Sequence, residues 1–119
     1  LIVDDQDVSA VLSRAILASE KGIAVVARAH HGREALTLAA SVNPDVILMD
    51  LHMPVMDGIE ATRRLREAGS KARIIIVTGS DVPGELAAAR EAGADSYVPK
   101  PQIAEALIAA IFGTDIAPG

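Results

Sequence analysis

The sequence predicts a doubly wound α/β domain, a parallel sheet covered by helices on both faces. Three observations point there. Short β-branched runs alternate with Ala/Leu-rich helical segments along the chain. Two of these runs, Val46-Ile47-Leu48-Met49 and Ile74-Ile75-Ile76-Val77, are apolar without interruption, as strands buried on both faces are. At 119 residues, 50% apolar and 23% charged, the chain has the size and makeup of one globular domain, with no room for a second.

The elements follow in order. Leu1-Ile2-Val3 is a strand that stops at Asp4-Asp5; its abrupt start reads as a chain beginning inside its first strand. Val8, Val11, Leu12, Ala15 and Ile16 recur at helical spacing ahead of Gly22, a stop signal. Residues 23–29 read as the second strand. Residues 33–42 form the second helix, closed at Asn43-Pro44 because proline disfavours helix at the residue before it. The third strand ends at Asp50. Residues 58–68 form the third helix, with Ile59, Thr62 and Leu65 inward and Gly69 behind. Residues 73–77 form the fourth strand, ending at Thr78. Residues 86–92 are helical with Gly93 as the stop. A short strand, residues 96–98, ends near Lys100. Ile103, Leu107, Ala110 and Ile111 line the last helix. Residues 113–119 read as a tail or the start of a linker, so the domain spans 1–112. Right-handed crossovers between these elements give the doubly wound sheet.

Composition narrows the function. There is no cysteine, which excludes disulfides, thiolate zinc sites and cysteine nucleophiles. Aromatic content is 2% and the net charge −5, poor material for stacking bases or neutralising phosphates. No apolar run reaches the roughly 20 residues of a membrane span, and no signal peptide is visible. A cytoplasmic domain without membrane contact is expected.

Ligands of such sheets sit at the carboxyl ends of the strands. The first strand ends in Asp4 and Asp5, the third in Asp50, the fourth in Thr78 and the fifth in Lys100; the second delivers nothing that stands out. Carboxylates gathered on one rim repel one another, by about 4 kcal/mol per pair of charges at 4 Å and an effective dielectric near 20. A hard divalent cation removes the conflict, and oxygen-only ligands favour Mg²⁺, Mn²⁺ or Ca²⁺ over zinc. Such a site accepts a phosphoryl group: the metal bridges its oxygens, Lys100 offers a point charge and the Thr78 hydroxyl a hydrogen bond. Asp50 is the natural nucleophile, since a carboxylate can form an aspartyl-phosphate. Each residue also has a plainer reading. Asp4 or Asp5 would cap the first helix, Asp50 would be a turn residue, Thr78 a strand-end hydrogen bonder and Lys100 a solvated lysine. Convergence of residues from separate strands on one rim favours the site.

These residues carry a resemblance. Leu1-Ile2-Val3-Asp4-Asp5, Met49-Asp50-Leu51-His52-Met53-Pro54 with Met56-Asp57-Gly58, Val77-Thr78-Gly79, and Gly93-Ala94-Asp95-Ser96-Tyr97 followed by Lys100-Pro101 resemble the receiver domain of bacterial two-component response regulators over residues 1–112. The stretches beginning Gly32-Arg33-Glu34-Ala35-Leu36 and Gly58-Ile59-Glu60-Ala61 resemble the LuxR-type subgroup. The resemblance implies a flavodoxin-like strand order of 2-1-3-4-5. It implies that Asp50 takes a phosphoryl group from a histidine kinase or phosphotransfer protein with Mg²⁺ (or Mn²⁺), and that the change alters an interaction surface. Asp5 and Asp50 would ligate the metal directly, the His52 backbone carbonyl would be a third ligand and Asp4 would act through water. Thr78 and Lys100 would hold phosphoryl oxygens, cradled by the backbone of Leu51, His52 and Gly79. Thr78 and Tyr97 would form a switch pair, and Lys100–Pro101 would be a cis peptide. The domain would be regulatory, with self-phosphotransfer and autodephosphorylation its only chemistry. Pro99, Gly79 and Gln102 depart from the family's usual residues, which bears on switching and phosphoryl lifetime.

Competing readings are a degenerate receiver that serves only as an interaction module and an Asp-nucleophile phosphatase. The phosphatase wants a second acid two residues after Asp50, where His52 stands. A nucleotide site fails for want of a Gly-rich loop after the first strand. The His52 side chain either faces the site mouth or is a solvated loop histidine. A zinc site at His30 and His31 lacks further nitrogen ligands. Met49, Met53 and Met56 read as core and loop packing. Ile108 and Phe112 make the last helix apolar on a second face, which suggests a homodimer or output-domain contact. DNA would be reached only through an output domain absent from this chain.

Overall fold

The computed structural model describes residues 1–79 and 83–113. In chain order these form β1 (Ile2–Val3), α1 (Asp7–Ala18), β2 (Arg28–Ala29), α2 (Gly32–Val42), β3 (Val46–Asp50), α3 (Gly58–Glu67), β4 (Arg73–Thr78), α4 (Pro83–Ala92), β5 (Ser96–Pro99), a 3₁₀ turn (Lys100–Gln102) and α5 (Ile103–Phe112). The sheet runs β2-β1-β3-β4-β5, and every pairing is parallel. This is the doubly wound 2-1-3-4-5 order expected.

Side chains alternate across a strand, so the continuous apolar runs feed two cores. Val3, Ile47, Met49, Ile74 and Ile76 pack with Ala35 of α2, Ala61 and Leu65 of α3 and Ala89 of α4. Ile2, Leu48, Ile75 and Val77 pack on the other face with Ala10 and Leu17 of α1 and Leu107 and Ala110 of α5. Helices therefore cover both faces. The rigid sheet between them sets where the strand ends stand. Among the described residues, no helix is long and apolar enough to cross a membrane.

Four expectations need correction. The second strand is two residues long, not seven: Arg28 and Ala29 pair with Ile2 and Val3 of β1. On α1 the buried residues are Ala10, Ser13 and Leu17, while Val8, Val11 and Leu12 are 83%, 65% and 49% exposed. Both sets have helical spacing, and the smaller residues let the helix lie close to the body. On α5, Ile108 and Ile111 pack partly against the core, leaving Phe112 as the exposed large apolar side chain of that helix. Lys100–Pro101 is trans; Pro101 sits in the first turn of a helical segment, where its missing N–H has no partner to lose. The expected tail lies, beyond Gly113, outside the described residues.

Candidate functional site

Register assembles the rim. Val3 pairs with Met49, so Asp4 follows β1 beside Asp50. Asp50 pairs with Val77 and Thr78 with Pro99, which puts Thr78 one step beyond Asp50 and Lys100 one step beyond Thr78. Carboxylate oxygens from Asp4, Asp5 and Asp50 all lie within 4.8 Å of one another. Lys100 Nζ is 3.6 Å from Asp50 Oδ2. Asp4, Asp50 and Thr78 are buried, and Asp5 is exposed.

Electrostatics make Asp50 the unusual group. Burial pushes its carboxyl up from the ordinary 3.8 to about 6. The Lys100 ammonium opposes this, Asp4 adds to it, the Leu51 N–H hydrogen bond opposes it and Asp5 adds a further push. Loss of water and the neighbouring acids outweigh one ammonium and one N–H. The donor set is all oxygen and carries more negative than positive charge, which fits a hard divalent cation.

Backbone features hold the rim in shape. The N-cap of α1 is Gln6, with no side-chain cap, so neither Asp4 nor Asp5 is the cap. Asp4 Oδ1 instead accepts the Gln6 N–H at 2.9 Å, a local turn that fixes its carboxyl. After β3 the chain doubles back to start α3. Asp57 caps that helix by accepting the Glu60 N–H, and the Gly58 N–H donates to Leu51 O at 2.8 Å. Within the loop Val55 has φ +70°, and the Met56 N–H donates to Pro54 O at 2.7 Å. That is a tight, strained turn for a β-branched residue.

The remaining predicted residues are placed as follows. Tyr97 pairs with Ile76 on β5, is 45% exposed and lines a cleft of about 460 Å³ beside α4 with Leu86 and Arg90. A Cβ at Gly79 would meet open space among the described residues. His52 is a solvent-exposed loop histidine, the second of its two readings, and its Nε2 also pairs with Glu85 Oε2 at 2.8 Å, tying the loop after β3 to the first turn of α4. The two residues are far apart in sequence, so no spacing signals the pair. His30 and His31 close the start of α2. His31 Nδ1 accepts the Glu34 N–H, and the Glu34 carboxylate takes the His30 N–H and ring, a reciprocal cap rather than a metal site.

One residue of the rim escaped the sequence reading, which assigned the second strand nothing. Arg28 on β2 donates from Nε and Nη2 to the Asp4 carbonyl at 3.3 and 2.9 Å, and from Nη1 to Asp7 Oδ1 at 2.6 Å. The available signal was an arginine standing inside an otherwise apolar run, Val25-Val26-Ala27 before it and Ala29 after.

Comparison with known proteins identifies the family. Residues 1–112 match the family described as response regulator receiver domain. The chain is 48% identical over 105 residues to protein-glutamate methylesterase/protein-glutamine glutaminase 3 of Hahella chejuensis, a match covering 86% of this chain and 30% of that protein. It is 41% identical over 109 residues to response regulator MprA of Mycolicibacterium vanbaalenii, covering 92% of this chain and 46% of that protein. The chain thus spans less than half the length of these relatives. Among solved structures, the response regulator domain of Thermotoga maritima CheB is similar with a TM-score of 0.88 at 29% identity, covering 98% of this chain and 96% of that one. A LuxR-family two-component response regulator from Aurantimonas sp. gives 0.84 at 36% identity, covering 94% and 83%. The chain belongs to the response regulator receiver domain family, the phospho-accepting switches of two-component signalling.

Proposed function

We propose that Asp50 is the phospho-acceptor of this receiver and that Asp4, Asp5 and Asp50 form its divalent cation site. The observation that carries the reading is the convergence of the Asp4 and Asp5 carboxylates, within 4.8 Å, on a buried Asp50 that also faces Lys100. Mg²⁺ (or Mn²⁺) would be held by Asp5 and Asp50, by Asp4 through water and by the His52 backbone carbonyl. Such an ion would supply positive charge to offset the phosphoryl group's negative charge. The ionised Asp50 carboxylate attacks phosphorus; a P–O bond to Asp50 forms, and the bond to the donor's imidazole nitrogen or acetate oxygen breaks. The Lys100 ammonium takes one phosphoryl oxygen and the Thr78 hydroxyl another, with the backbone of Leu51, His52 and Gly79 around them. The domain's chemistry is this self-phosphotransfer and its hydrolytic reversal. A phosphatase reading lacks its second acid, because the position two residues after Asp50 holds His52.

The added group brings about −1.5 to −2 of charge. Thr78 moving toward it frees room for the Tyr97 ring to turn into the cleft beside α4, a two-state change of the usual allosteric size, about 1–3 kcal/mol. The donor is a histidine kinase or phosphotransfer protein. The exposed stripe Val8, Val11 and Leu12 begins one turn from Asp5 and offers it an apolar seat. Val11→Asp is therefore expected to slow transfer from the protein donor at least tenfold while leaving uptake from acetyl phosphate unchanged; equal slowing of both removes the seat. Residues 1–112 are the switch, and any methylesterase or DNA-binding output belongs to sequence outside it. Intact-mass measurement after acetyl phosphate and Mg²⁺ tests the reading. One phosphoryl mass is expected, lost with a chelator; no gain with Mg²⁺ leaves only an interaction module.

A further inference from the structure

We infer that Arg28 is the positioning residue of the acidic loop: by fastening the Asp4 carbonyl and the Asp7 carboxylate, it holds Asp4 and Asp5 where a cation can be taken up. The inference rests on the cation site proposed above. It concerns a side chain that is not itself a ligand.

The turn in which Asp4 Oδ1 accepts the Gln6 N–H shapes the loop locally, and the Arg28 fork ties it to the sheet. The last ladder bond of β1 toward β2 is the Asp4 N–H to Ala29 O at 3.0 Å. Beyond it the chain leaves the sheet and enters α1 at Asp7. The Asp4 carbonyl lies at this departure point, in a residue only 5% exposed, and it is met by two N–H groups of one guanidinium. The third contact reaches the first helical residue, Asp7. One planar fork thus spans both ends of the segment carrying Asp5. Its side chain is 18% exposed, so the two bonds to the Asp4 carbonyl, themselves part-buried, are partly shielded from water and salt, while the Asp7 end of the fork is open to solvent. Lysine reproduces the charge but not the fork.

Charge and position make opposite demands, which gives a clean test. Arg28 is a cation beside a cation site. By Coulomb's law alone, removing it strengthens Mg²⁺ binding. As a positioning device, removing it loosens the loop and weakens binding, because the ion must then pay for ordering its own ligands. Asp7 pairs with the guanidinium at 2.6 Å and already offsets its charge, so position wins.

The experiment is calorimetric titration of Mg²⁺ into the chain and its Arg28→Met and Arg28→Lys variants, with circular dichroism to establish folding and with phosphorylation rates at low and saturating Mg²⁺. Arg28→Met is expected to weaken Mg²⁺ binding about tenfold and Arg28→Lys by less. The rate at saturating Mg²⁺ should return to within about twofold of the parent, an effect on affinity and not on the chemical step. Unchanged or tighter binding by both variants overturns the inference. If Arg28→Met does not fold, Arg28→Lys decides alone: parental affinity overturns the inference, and a several-fold loss supports it. Absence of Mg²⁺ binding by the parent chain overturns the cation site itself, a distinguishable outcome.

Discussion

Asp50→Asn is expected to stabilise the cation-free protein at neutral pH while abolishing phosphorylation. The carboxyl is raised from 3.8 to about 6 by burial, against the pull of Lys100. A raised carboxyl binds more protons folded than unfolded between those two values, so stability falls as pH climbs from about 4 to about 6 and stays low above. Each pH unit of that interval is worth ~1.4 kcal/mol, which makes the ionised carboxylate cost roughly 3 kcal/mol at pH 7. Asparagine removes the charge, and since the value of about 6 already includes the Lys100 attraction, the net gain is about 2–3 kcal/mol. Urea unfolding in the presence of a chelator, from pH 4 to pH 8, is the measurement. The difference between variant and parent should grow between about pH 4 and pH 6 and then level off. Saturating Mg²⁺ should stabilise the parent by linkage and the variant far less. A difference independent of pH would mean that Asp50 is not the strained group.

Gly58→Ala is expected to damage both fold and site. An alanine Cβ at this position would stand 2.1 Å from the Asp50 carbonyl oxygen and 3.0 Å from Leu51 Cα. Both are backbone atoms, so no side chain can rotate away. Either the first turn of α3 backs off, losing the Gly58 N–H to Leu51 O bond, or the end of β3 shifts and carries Asp50 with it. Helix propensity favours alanine by about 1 kcal/mol, and the clash reverses that sign, for a net loss on the order of 3 kcal/mol. The surviving folded protein should take up phosphoryl groups more slowly. Chemical denaturation and phosphorylation by acetyl phosphate read the two effects; a more stable variant with parental rate would show that the contact is slack.

Much of this was legible because strand ends are punctuated chemically. The apolar runs before Asp50 and Thr78 mark central strands, and their alternation feeds both cores. The rim follows from topology. Less legible was anything decided by contacts between distant segments. The buried face of α1 depends on how closely small residues allow a helix to approach. The length of β2 depends on its neighbour, and no local propensity for residues 23–27 could show it. The His52–Glu85 pair and the Arg28 fork join segments whose spacing carries no period. The trans Lys100–Pro101 peptide lies within the 3₁₀ turn Lys100–Gln102.

Chemical mapping of the modified residue addresses the acceptor itself. An acyl phosphate is reduced by borohydride, while phosphate esters on hydroxyl groups and phosphorylated histidine do not give the same reduced product. After acetyl phosphate and Mg²⁺, borohydride treatment and peptide sequencing should find one reduced aspartate, residue 50, and none when the cation is chelated. Reduction at Asp4 or Asp5 instead, or equal labelling without the cation, would contradict a buried carboxylate that two neighbouring acids and one lysine prepare for a phosphoryl group.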